Sequence, residues 1–245
     1  MPGIKAKGIV LRQTEFGESN RMLTVFTKEY GIIRSAVYGA KSIKSGKGAA
    51  CQVFSYSEFE LRKNAGDIYT VSAVSPIESF FALSEDIVKF SLSAYFAELI
   101  QSTLGESNPD EAILRLYLNT LYALCNNGLE VKKAKCVFEM RLMSLLGYRP
   151  QLTKCVICDN IKEIVAFSAT DGGLLCKNCR VGGIDIGKAT CDALYYIITA
   201  EDKKIFSFTV SDEVLEKIGK ISEEYTKVQL ESELKSLLYL KKMMI

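Results

Sequence analysis

The sequence predicts an α+β multidomain chain: an N-terminal five-stranded barrel, a C-terminal helical bundle, and a four-cysteine element inserted into that bundle. Three observations predict this architecture. Residues 4–80 consist of short β-branched and aromatic runs separated by turn residues. After Pro76 the apolar residues recur every three to four positions, which is the period of a helix. Two Cys-x-x-Cys pairs then interrupt the helical pattern, formed by Cys155, Cys158, Cys176 and Cys179.

Five strands are predicted in the N-terminal region. Glu29-Tyr30-Gly31 is a tight reversal between two of them, typical of a hairpin. No helical pattern in this region is long enough to cover an open sheet, so the five strands are expected to close into a small barrel. The predicted strands run from Ile4 to Arg12, Arg21 to Lys28, Gly31 to Gly39, Val53 to Lys63 and Asp67 to Ser75.

The helices that follow are predicted from their apolar stripes and from their start and stop residues. Ser84 is expected to cap the first helix, whose stripe runs from Val88 to Thr103. Asn108 is expected to cap the second, with Pro109 at its first position. The remaining helices are predicted from Val131 to Gly147, from Lys188 to Ala200, from Ser211 onwards and over Leu230–Leu240.

The chain contains no histidine. This excludes a Ser-His-Asp or Cys-His catalytic arrangement and any histidine-ligated catalytic metal. General acid–base chemistry near neutral pH would then require a carboxylate, lysine or cysteine with a perturbed pKa. The composition therefore favours a protein that is not an enzyme.

The hydropathy pattern contains no uninterrupted apolar run long enough to span a bilayer, so no membrane association is expected. Residues 1–5 lack the apolar segment of a secretory signal. Eight cysteines without such a signal are expected to be thiols, metal ligands or core residues in a reducing compartment. The expected location is the cytoplasm.

The two Cys-x-x-Cys pairs predict one structural Zn²⁺ site. Seventeen residues separate the pairs, enough for a hairpin with its turn at Thr170–Gly173 to bring them face to face. Zn²⁺ takes four thiolates in a tetrahedral arrangement and is then saturated, which leaves no position for water or substrate. The predicted ligands are Cys155, Cys158, Cys176 and Cys179.

Two alternatives stay open for these cysteines: redox-active dithiol pairs, or a cluster that has lost its metal. A dithiol redox motif usually begins a helix in a βαβ unit, and that context is missing. The other cysteines lack paired spacing and are expected to be small buried side chains. They are Cys51, Cys125, Cys136 and Cys191, of which Cys191 is nearest in sequence to the cluster.

Positive charge is concentrated at the N-terminal end of the chain. Residues 1–50 carry nine basic and three acidic side chains, a net charge of +6, so the remainder sums to −4 within the overall +2. A basic region on a slightly acidic body predicts a polyanionic partner. Cations neutralise phosphates and aromatic rings stack on bases, which suits single-stranded nucleic acid. The candidate nucleic-acid-binding residues are Arg12, Arg21, Arg34, Tyr38, Lys41, Lys44 and Lys47.

Within this set, Arg34 and Tyr38 share strand parity and are expected on one face, with Ile33 and Val37 on the other. The three lysines recur at intervals of three in a Gly/Ser-rich loop over residues 40–48, which suits contact with a phosphate backbone. The alternative is that they only keep a sheet edge soluble. Composition alone does not decide between these interpretations.

A series of short motifs runs through the chain in a defined order. The barrel region carries Gly8–Leu11, Gly17–Arg21, Thr24–Thr27, Tyr30-Gly31 and Tyr38–Lys41 with Lys44-Ser45. The helical region carries Phe138–Leu142, Leu146–Pro150, Leu152 and Cys155, and the end carries Leu234–Leu237 with Leu240. In this order and spacing, the chain resembles members of the RecO family, the bacterial recombination and repair mediators.

The resemblance implies an oligonucleotide/oligosaccharide-binding (OB-fold) barrel over residues 1–80, a helical bundle over 81–149 and 183–245, and an inserted zinc element over 150–182. Proteins of this family bind single- and double-stranded DNA and anneal complementary strands. They act with RecR and RecF, contact the C-terminal tail of single-stranded-DNA-binding protein, and load RecA onto coated DNA. No nucleotide hydrolysis is implied, consistent with the absence of a GxxxxGK[ST] loop.

Further expectations follow from the resemblance. The family motif near Lys41 is often more basic, so Ile43 and the modest net charge imply weaker intrinsic DNA affinity and more dependence on a partner. The C-terminal tail of single-stranded-DNA-binding protein, which is acidic and ends in apolar residues, is expected to bind near Lys132, Lys133 or Arg141. The implied location is the bacterial cytoplasm, in association with the nucleoid. Two other function classes remain open: a zinc-containing protein–protein adaptor without direct DNA binding, and a thiol oxidoreductase using the Cys-x-x-Cys pairs.

Overall fold

The computed structural model describes residues 3–40, 47–64, 66–231 and 233–244. Lys41 and Lys44, two of the candidate nucleic-acid-binding residues, lie outside the described residues. The chain forms two compact units, the first made of Met1–Arg115 with Ser236–Ile245 and the second of Leu116–Lys235. Within the described ranges, no helix is both long and apolar enough to cross a membrane.

Five strands of the first unit form a closed barrel. They are β1 (Ile4–Phe16), β2 (Asn20–Thr27), β3 (Gly31–Val37), β4 (Ser55–Lys63) and β5 (Ile68–Ser79). Their order around the barrel is β1-β2-β3-β5-β4, and every neighbouring pair is antiparallel except β3 and β5. The predicted five-stranded barrel is therefore confirmed.

The barrel interior contains the alternate apolar residues of the strands. Gly31 begins β3 at a φ of +65°, a value that glycine adopts without strain. Its carbonyl accepts a hydrogen bond of 2.8 Å from the Thr27 hydroxyl, which fixes the reversal between β2 and β3 and confirms the predicted hairpin. The buried core includes Val10, Leu23, Val25, Ile33, Val37, Phe59, Leu61 and Val71.

Two strands are longer than predicted. β1 continues past Arg12 because a register shift between Val10 and Arg12 interrupts the alternation of buried and exposed residues without ending the strand. β5 continues through Pro76, where a change to helix was expected. β3 pairs with β5 only over residues 68–70, so the later part of β5 has β4 as its partner strand, and proline is tolerated on an edge of this kind.

Helix α1 (Ile87–Thr103) follows a short 3₁₀ turn at Phe81–Glu85. The predicted cap at Ser84 is wrong, because the Ser84 hydroxyl donates instead to the carbonyl of Phe81 at 2.7 Å. Asp86 caps α1, and its Oδ1 accepts from the second and third backbone N–H groups of the helix at 2.9 and 3.1 Å.

Helix α2 (Glu111–Asn126) begins two residues later than predicted. The predicted cap at Asn108 is wrong, since Asp110 Oδ1 accepts from the N–H of Ile113 at 2.9 Å and takes that role. The preceding loop is held by the barrel: the N–H of Ser107 donates to the carbonyl of Ile32 at 3.2 Å. This tether keeps Asn108 out of the helix.

The other helices are α3 (Val131–Leu145), α4 (Lys188–Thr199), α5 (Asp212–Leu230) and α6 (Lys235–Met243). Ser211 caps α5 as predicted, accepting from the N–H of Val214 at 3.4 Å. The predicted helix over Leu230–Leu240 is wrong at its start. Glu231, with a φ of +50°, ends α5, and α6 begins only at Lys235.

A small four-stranded sheet separates α3 from α4 in the sequence. Its strands are β6 (Gln151–Cys155), β7 (Ile164–Ser168), β8 (Gly173–Cys176) and β9 (Ile184–Asp185), in the order β6-β8-β7-β9. β7 and β8 form the predicted antiparallel hairpin. Its turn is fixed by a 2.6 Å hydrogen bond from the Ser168 hydroxyl to Asp171.

Candidate metal centre and nucleic-acid interface

Four thiols converge beside the small sheet of the second unit. The Sγ atoms of Cys155, Cys158, Cys176 and Cys179 all lie within 4.8 Å of one another. Those of Cys158 and Cys176 are 3.6 Å apart. A tetrahedral Zn²⁺ with bonds of about 2.3 Å holds its sulfurs about 3.8 Å apart, so the arrangement fits such an ion. The structure thus brings together the four cysteines singled out in the sequence, and they could hold a metal ion.

The strands position the thiols in pairs. β6 ends at Cys155 and β8 ends at Cys176, and these two strands are parallel neighbours whose carboxyl ends meet at one edge. A tight turn follows each strand. The N–H of Asp159 donates to the carbonyl of Cys155 at 3.0 Å, and the N–H of Cys179 donates to the carbonyl of Cys176 at 3.1 Å. Each turn returns the second cysteine of its pair towards the first.

The thiols differ in their readiness to ionise. Burial opposes ionisation of Cys155, but backbone N–H groups of Cys176, Ile157 and Cys158 outweigh it and lower the pKa to about 6. Hydrogen bonds with the sulfurs of Cys158 and Cys176 raise the pKa of Cys179 to about 12. Four thiolates this close repel one another, so full ionisation of the cluster needs a cation at its centre.

The four-cysteine element packs on helix α5 through one ring contact and two hydrogen bonds. The ring of Phe167 meets that of Tyr225 edge-on, with centroids 5.6 Å apart. The Tyr225 hydroxyl donates to the carbonyl of Tyr148 at 3.1 Å, just before β6. The side-chain amide of Gln229 donates to the carbonyl of Ala169 at 3.4 Å. The fold of the four-cysteine element is therefore stabilised by its contacts with helix α5.

Three of the remaining cysteines are protonated at neutral pH. Burial raises the pKa of Cys51 to about 11, that of Cys136 to about 12 and that of Cys191 to about 11. Cys191 lies in α4 and is not one of the four clustered residues. Thiols of such high pKa are poor nucleophiles and poor metal ligands. Cys51 and Cys136 are buried as predicted, whereas the prediction is wrong for Cys125 and Cys191, which are half-buried.

On the barrel, the residues named in the β3 prediction lie as expected, although Ile32 and Ala36, which share the parity of Arg34, are buried too. Arg34 is exposed, whereas Ile33 and Val37 are buried in the barrel core. Tyr38 follows the strand and is 55% exposed, and its ring lies edge-on to Phe16 with centroids 5.9 Å apart. A cation and an open aromatic face are therefore available on the outside of the barrel.

The other candidate cations of the barrel differ in their surroundings. Arg12 is exposed on β1, and Lys47 is half-buried beside the loop that leads to β4. Arg21 is turned inward, and its Nε and Nη1 are shielded from water without a hydrogen-bond partner among the described residues. Both Arg21 and Lys47 lie close enough to Cys51 to oppose the effect of burial on its pKa.

Sequence reasoning missed the residues that surround Arg21. They line a cavity of about 210 Å³ that includes Gln13, Phe54, Phe80, Phe81 and Phe90. A signal was present in the sequence: Arg21 has the parity of Leu23 and Val25, which predicts an inward direction. The phenylalanines come from three separate segments, so no local pattern could group them.

The bundle cations expected near an acidic tail are engaged within the second unit. The Arg141 guanidinium donates to carbonyl oxygens at the end of α4 at 3.1 and 3.2 Å and lies 2.7 Å from the carboxylate of Asp202. The ammonium of Lys133 donates to the carbonyl of Phe208 at 2.5 Å and lies 4.4 Å from the centroid of its ring. Lys132 forms an exposed ion pair with α5 at 3.8 Å.

Two family models match the chain. The model described as Recombination protein O N terminal matches residues 1–80, and that described as Recombination protein O C terminal matches residues 84–238. Together they cover the barrel, the four-cysteine element and the helices as far as the first part of α6. These are the same two regions in which the sequence motifs resemble the RecO family.

Full-length relatives agree with the family models. The chain is 34% identical over 242 residues to a DNA repair protein RecO from Acetivibrio thermocellus, covering 97% of this chain and 96% of that protein. It is 35% identical over 237 residues to a protein of the same name from Caldicellulosiruptor bescii, covering 96% of each. A third, from Alkaliphilus metalliredigens, is 34% identical over 234 residues, covering 93% of this chain and 94% of that protein.

Proposed function

Because this chain belongs to the RecO family of DNA repair proteins, we propose that it is a non-catalytic mediator of recombination and repair. It binds single- and double-stranded DNA, anneals complementary strands and, with RecR and RecF, helps to load RecA onto coated DNA. Its place of action is the bacterial cytoplasm, on the nucleoid. The observation that carries the proposal is the closed barrel with Arg34 and Tyr38 exposed outside its core.

The proposed mechanism requires no covalent chemistry. Two DNA strands must come close enough to pair, and their phosphates oppose this by mutual repulsion. Arg12, Arg34 and the lysines of residues 41–47 supply positive charge at the phosphates and release condensed counterions. Contacts to the backbone are independent of sequence and leave base edges free to pair.

Zinc is the metal proposed for the four-cysteine cluster, one ion per chain. Four thiolates are the donor set of structural zinc sites, and the sulfur separations suit its bond length. Its contribution is to fix the fold of the element, since four protein ligands saturate the ion and leave no position for a substrate. On this basis the protein is proposed not to be an enzyme at the metal.

The acidic tail of single-stranded-DNA-binding protein is proposed as a partner together with RecR. Because Arg141 and Lys133 already have partners within the second unit, an exposed cation of that unit is the better candidate to bind the tail. Arg149 is exposed beside a cavity of about 280 Å³ that Leu152, Tyr195 and Ile198 also line. A cation next to apolar walls suits a peptide that is acidic and ends in apolar residues.

Strand annealing tests the proposed function. Complementary labelled strands are mixed with the protein, bare or coated with the cognate single-stranded-DNA-binding protein. A mediator is expected to accelerate annealing on both, whereas a protein–protein adaptor accelerates neither. Titration of fluorescent single-stranded DNA at two salt concentrations separates the two further, since an adaptor binds little at either. Bound metal and free thiols are measured as well: about one zinc and four protected thiols per chain would contradict a thiol oxidoreductase.

The triple variant Lys41→Ala/Lys44→Ala/Lys47→Ala is expected to bind single-stranded DNA more weakly. Each phosphate contact contributes about 0.7 to the slope of log affinity against log salt, so the slope should flatten by about 2. The same charge change is made in the second unit, at the exposed Lys203, Lys204 and Lys220, as the control. An unchanged affinity and slope in the barrel variant would place the DNA contacts elsewhere.

A further inference from the structure

Arg21 points towards the interior of the barrel mouth. It stands directly across from Val37 on β3, which is fully buried in the barrel core. Its neighbours of the same parity along β2, Leu23 and Val25, also belong to that core. Gln13 on β1 stands across from Leu23 and so faces the same side. Two long polar side chains thus point to the same side as the apolar core of the barrel.

Three polar atoms of these two residues lack partners in the described part of the chain. Nε and Nη1 of Arg21 and Oε1 of Gln13 are shielded from water, and none makes a hydrogen bond in the part of the chain that is described. Arg21 as a whole is half-buried, but polar atoms that are shielded from water are almost always paired, and leaving them unpaired is costly. Such a set of donors and acceptor is expected where a ligand completes the hydrogen bonds.

Aromatic rings form the walls around them. Phe54 has a φ of +67°, a conformation that bulky residues rarely adopt, and its N–H donates to the carbonyl of Val10 at 2.8 Å. Its ring lies edge-on to Phe90 of α1, with centroids 5.2 Å apart. Phe80 is buried, whereas Phe81 is 61% exposed at the opening. Backbone held in such a conformation is typical of ligand sites.

The size of the cavity limits what can enter. Its volume of about 210 Å³ lies below the range of about 300–1,000 Å³ typical of small-molecule sites. It therefore suits one ring system and not a whole nucleotide. The exposed ring of Phe81 extends the apolar surface to the outside of the cavity.

We propose that this cavity receives a single nucleobase swung out of a DNA strand, with Arg21 and Gln13 binding its edge and the phenylalanines its faces. A nucleobase offers acceptors for Arg21 and a donor for Gln13 on one flat ring. Phosphate and carboxylate carry acceptors only, so they would leave Gln13 Oε1 unpaired. Insertion of a base would anchor the strand without reading the rest of its sequence.

This inference rests on the proposed DNA binding and adds a base contact to it. The two are separable because an abasic oligonucleotide keeps the phosphates and lacks the rings. The wild-type chain is expected to bind a thymidine oligomer about tenfold more tightly than an abasic oligomer of equal length. Weak binding to both oligomers would overturn DNA binding itself, whereas equal and firm binding would overturn only the base contact.

The test variant is Arg21→Met, which keeps the length of the side chain and removes its charge and donors. It is expected to lose the preference for the thymidine oligomer while abasic binding changes little. Arg12→Met, on the exposed side of β1, removes the same charge as the matched control. It is expected to weaken binding of both oligomers alike and to flatten the salt dependence.

Thermal stability distinguishes binding from a structural role. Since Arg21→Met removes two shielded donors that have no hydrogen-bond partner in the described part of the chain, its melting temperature is expected to equal or exceed that of the wild-type chain. A lower melting temperature with the base preference retained would make Arg21 structural and overturn the proposal. The proposal also fails if Arg21→Met behaves as Arg12→Met does. A labelled acidic peptide that ends in phenylalanine tests whether the cavity binds a protein tail instead. The proposal fails if Arg21→Met loses binding of this peptide and keeps its preference for the thymidine oligomer.

Discussion

Replacing Cys176 by serine is expected to release the metal and to unfold the four-cysteine element before the rest of the second unit. Cys176 is buried and its sulfur lies 3.6 Å from that of Cys158, so its loss breaks the ligand set at its centre. Structural zinc contributes about 10–16 kcal/mol of apparent binding energy in small zinc-binding peptides. The small apolar core beneath the cluster includes Ala166 and Leu175. Burial of so few side chains cannot compensate for the loss of that free energy.

Two measurements check this prediction. Zinc per chain, determined by elemental analysis, should fall from about one to near zero. Hydrogen exchange should accelerate first over residues 151–185, which contain the strands of the element. Protection in α5 near Tyr225 should fall next, because its ring packs on Phe167.

The matched control is Cys191→Ser, which removes a half-buried thiol from α4 and leaves the four ligands in place. It is expected to retain zinc and the wild-type exchange pattern. Full zinc retention by Cys176→Ser would contradict the tetrahedral site. If DNA binding disappeared in Cys176→Ser while the barrel stayed folded, the zinc element would belong to the DNA-binding surface.

Much of the fold could be predicted because its signals are local. Alternation along β3 placed Ile33 and Val37 inside and Arg34 outside, and the structure agrees. The two Cys-x-x-Cys pairs needed only a hairpin between them to meet, and that hairpin is present. Local competition accounts for the misplaced helix starts. Asp86 and Asp110 each lie two residues after the predicted cap, and either side chain can accept from the first N–H groups of a helix.

The candidate site could be predicted only in part, because its parts are far apart in sequence. Arg21 was identified from its charge, but an exposed cation and an inward one have the same sequence signature unless parity is followed through the neighbouring strands. Gln13 on β1 and Arg21 on β2 line the same cavity, to which a loop contributes Phe54 and helix α1 contributes Phe90. These segments meet only when the barrel closes, so no local sequence pattern predicts that they line one cavity.

Glu139→Leu is expected to destabilise the second unit by about 3–5 kcal/mol, the usual cost of breaking a buried ion pair. Glu139 is fully buried on α3 and lies 2.8 Å from the ammonium of Lys135 one turn before it. It also accepts a 2.6 Å hydrogen bond from the Ser222 hydroxyl of α5. Lys135 reaches across to Glu223 of α5 at 2.9 Å. Removing Glu139 leaves Lys135 buried with one of its two carboxylates.

Denaturant unfolding followed by circular dichroism measures the effect, and a double variant interprets it. Lys135→Met/Glu139→Leu replaces both charges by apolar groups of similar size, so most of the lost stability should return. The control Lys132→Met/Glu216→Leu removes an ion pair between the same two helices. That pair is exposed at 3.8 Å, so its loss should cost less than about 1 kcal/mol. Equal effects of the buried and exposed pairs would contradict the prediction.

The contribution of the Lys135–Glu139 pair to the free energy of unfolding depends on pH. Burial lowers the pKa of Lys135, but Glu139 and Glu223 outweigh it and raise the pKa above its ordinary value of 10.5. A raised pKa in the folded state means that this stabilisation is complete below 10.5 and is lost as the pH rises through the folded value. The stability difference between the wild type and Lys135→Met/Glu139→Leu should therefore be constant near neutral pH. In strong alkali it should shift towards the double variant, because only the wild type depends on a charged Lys135.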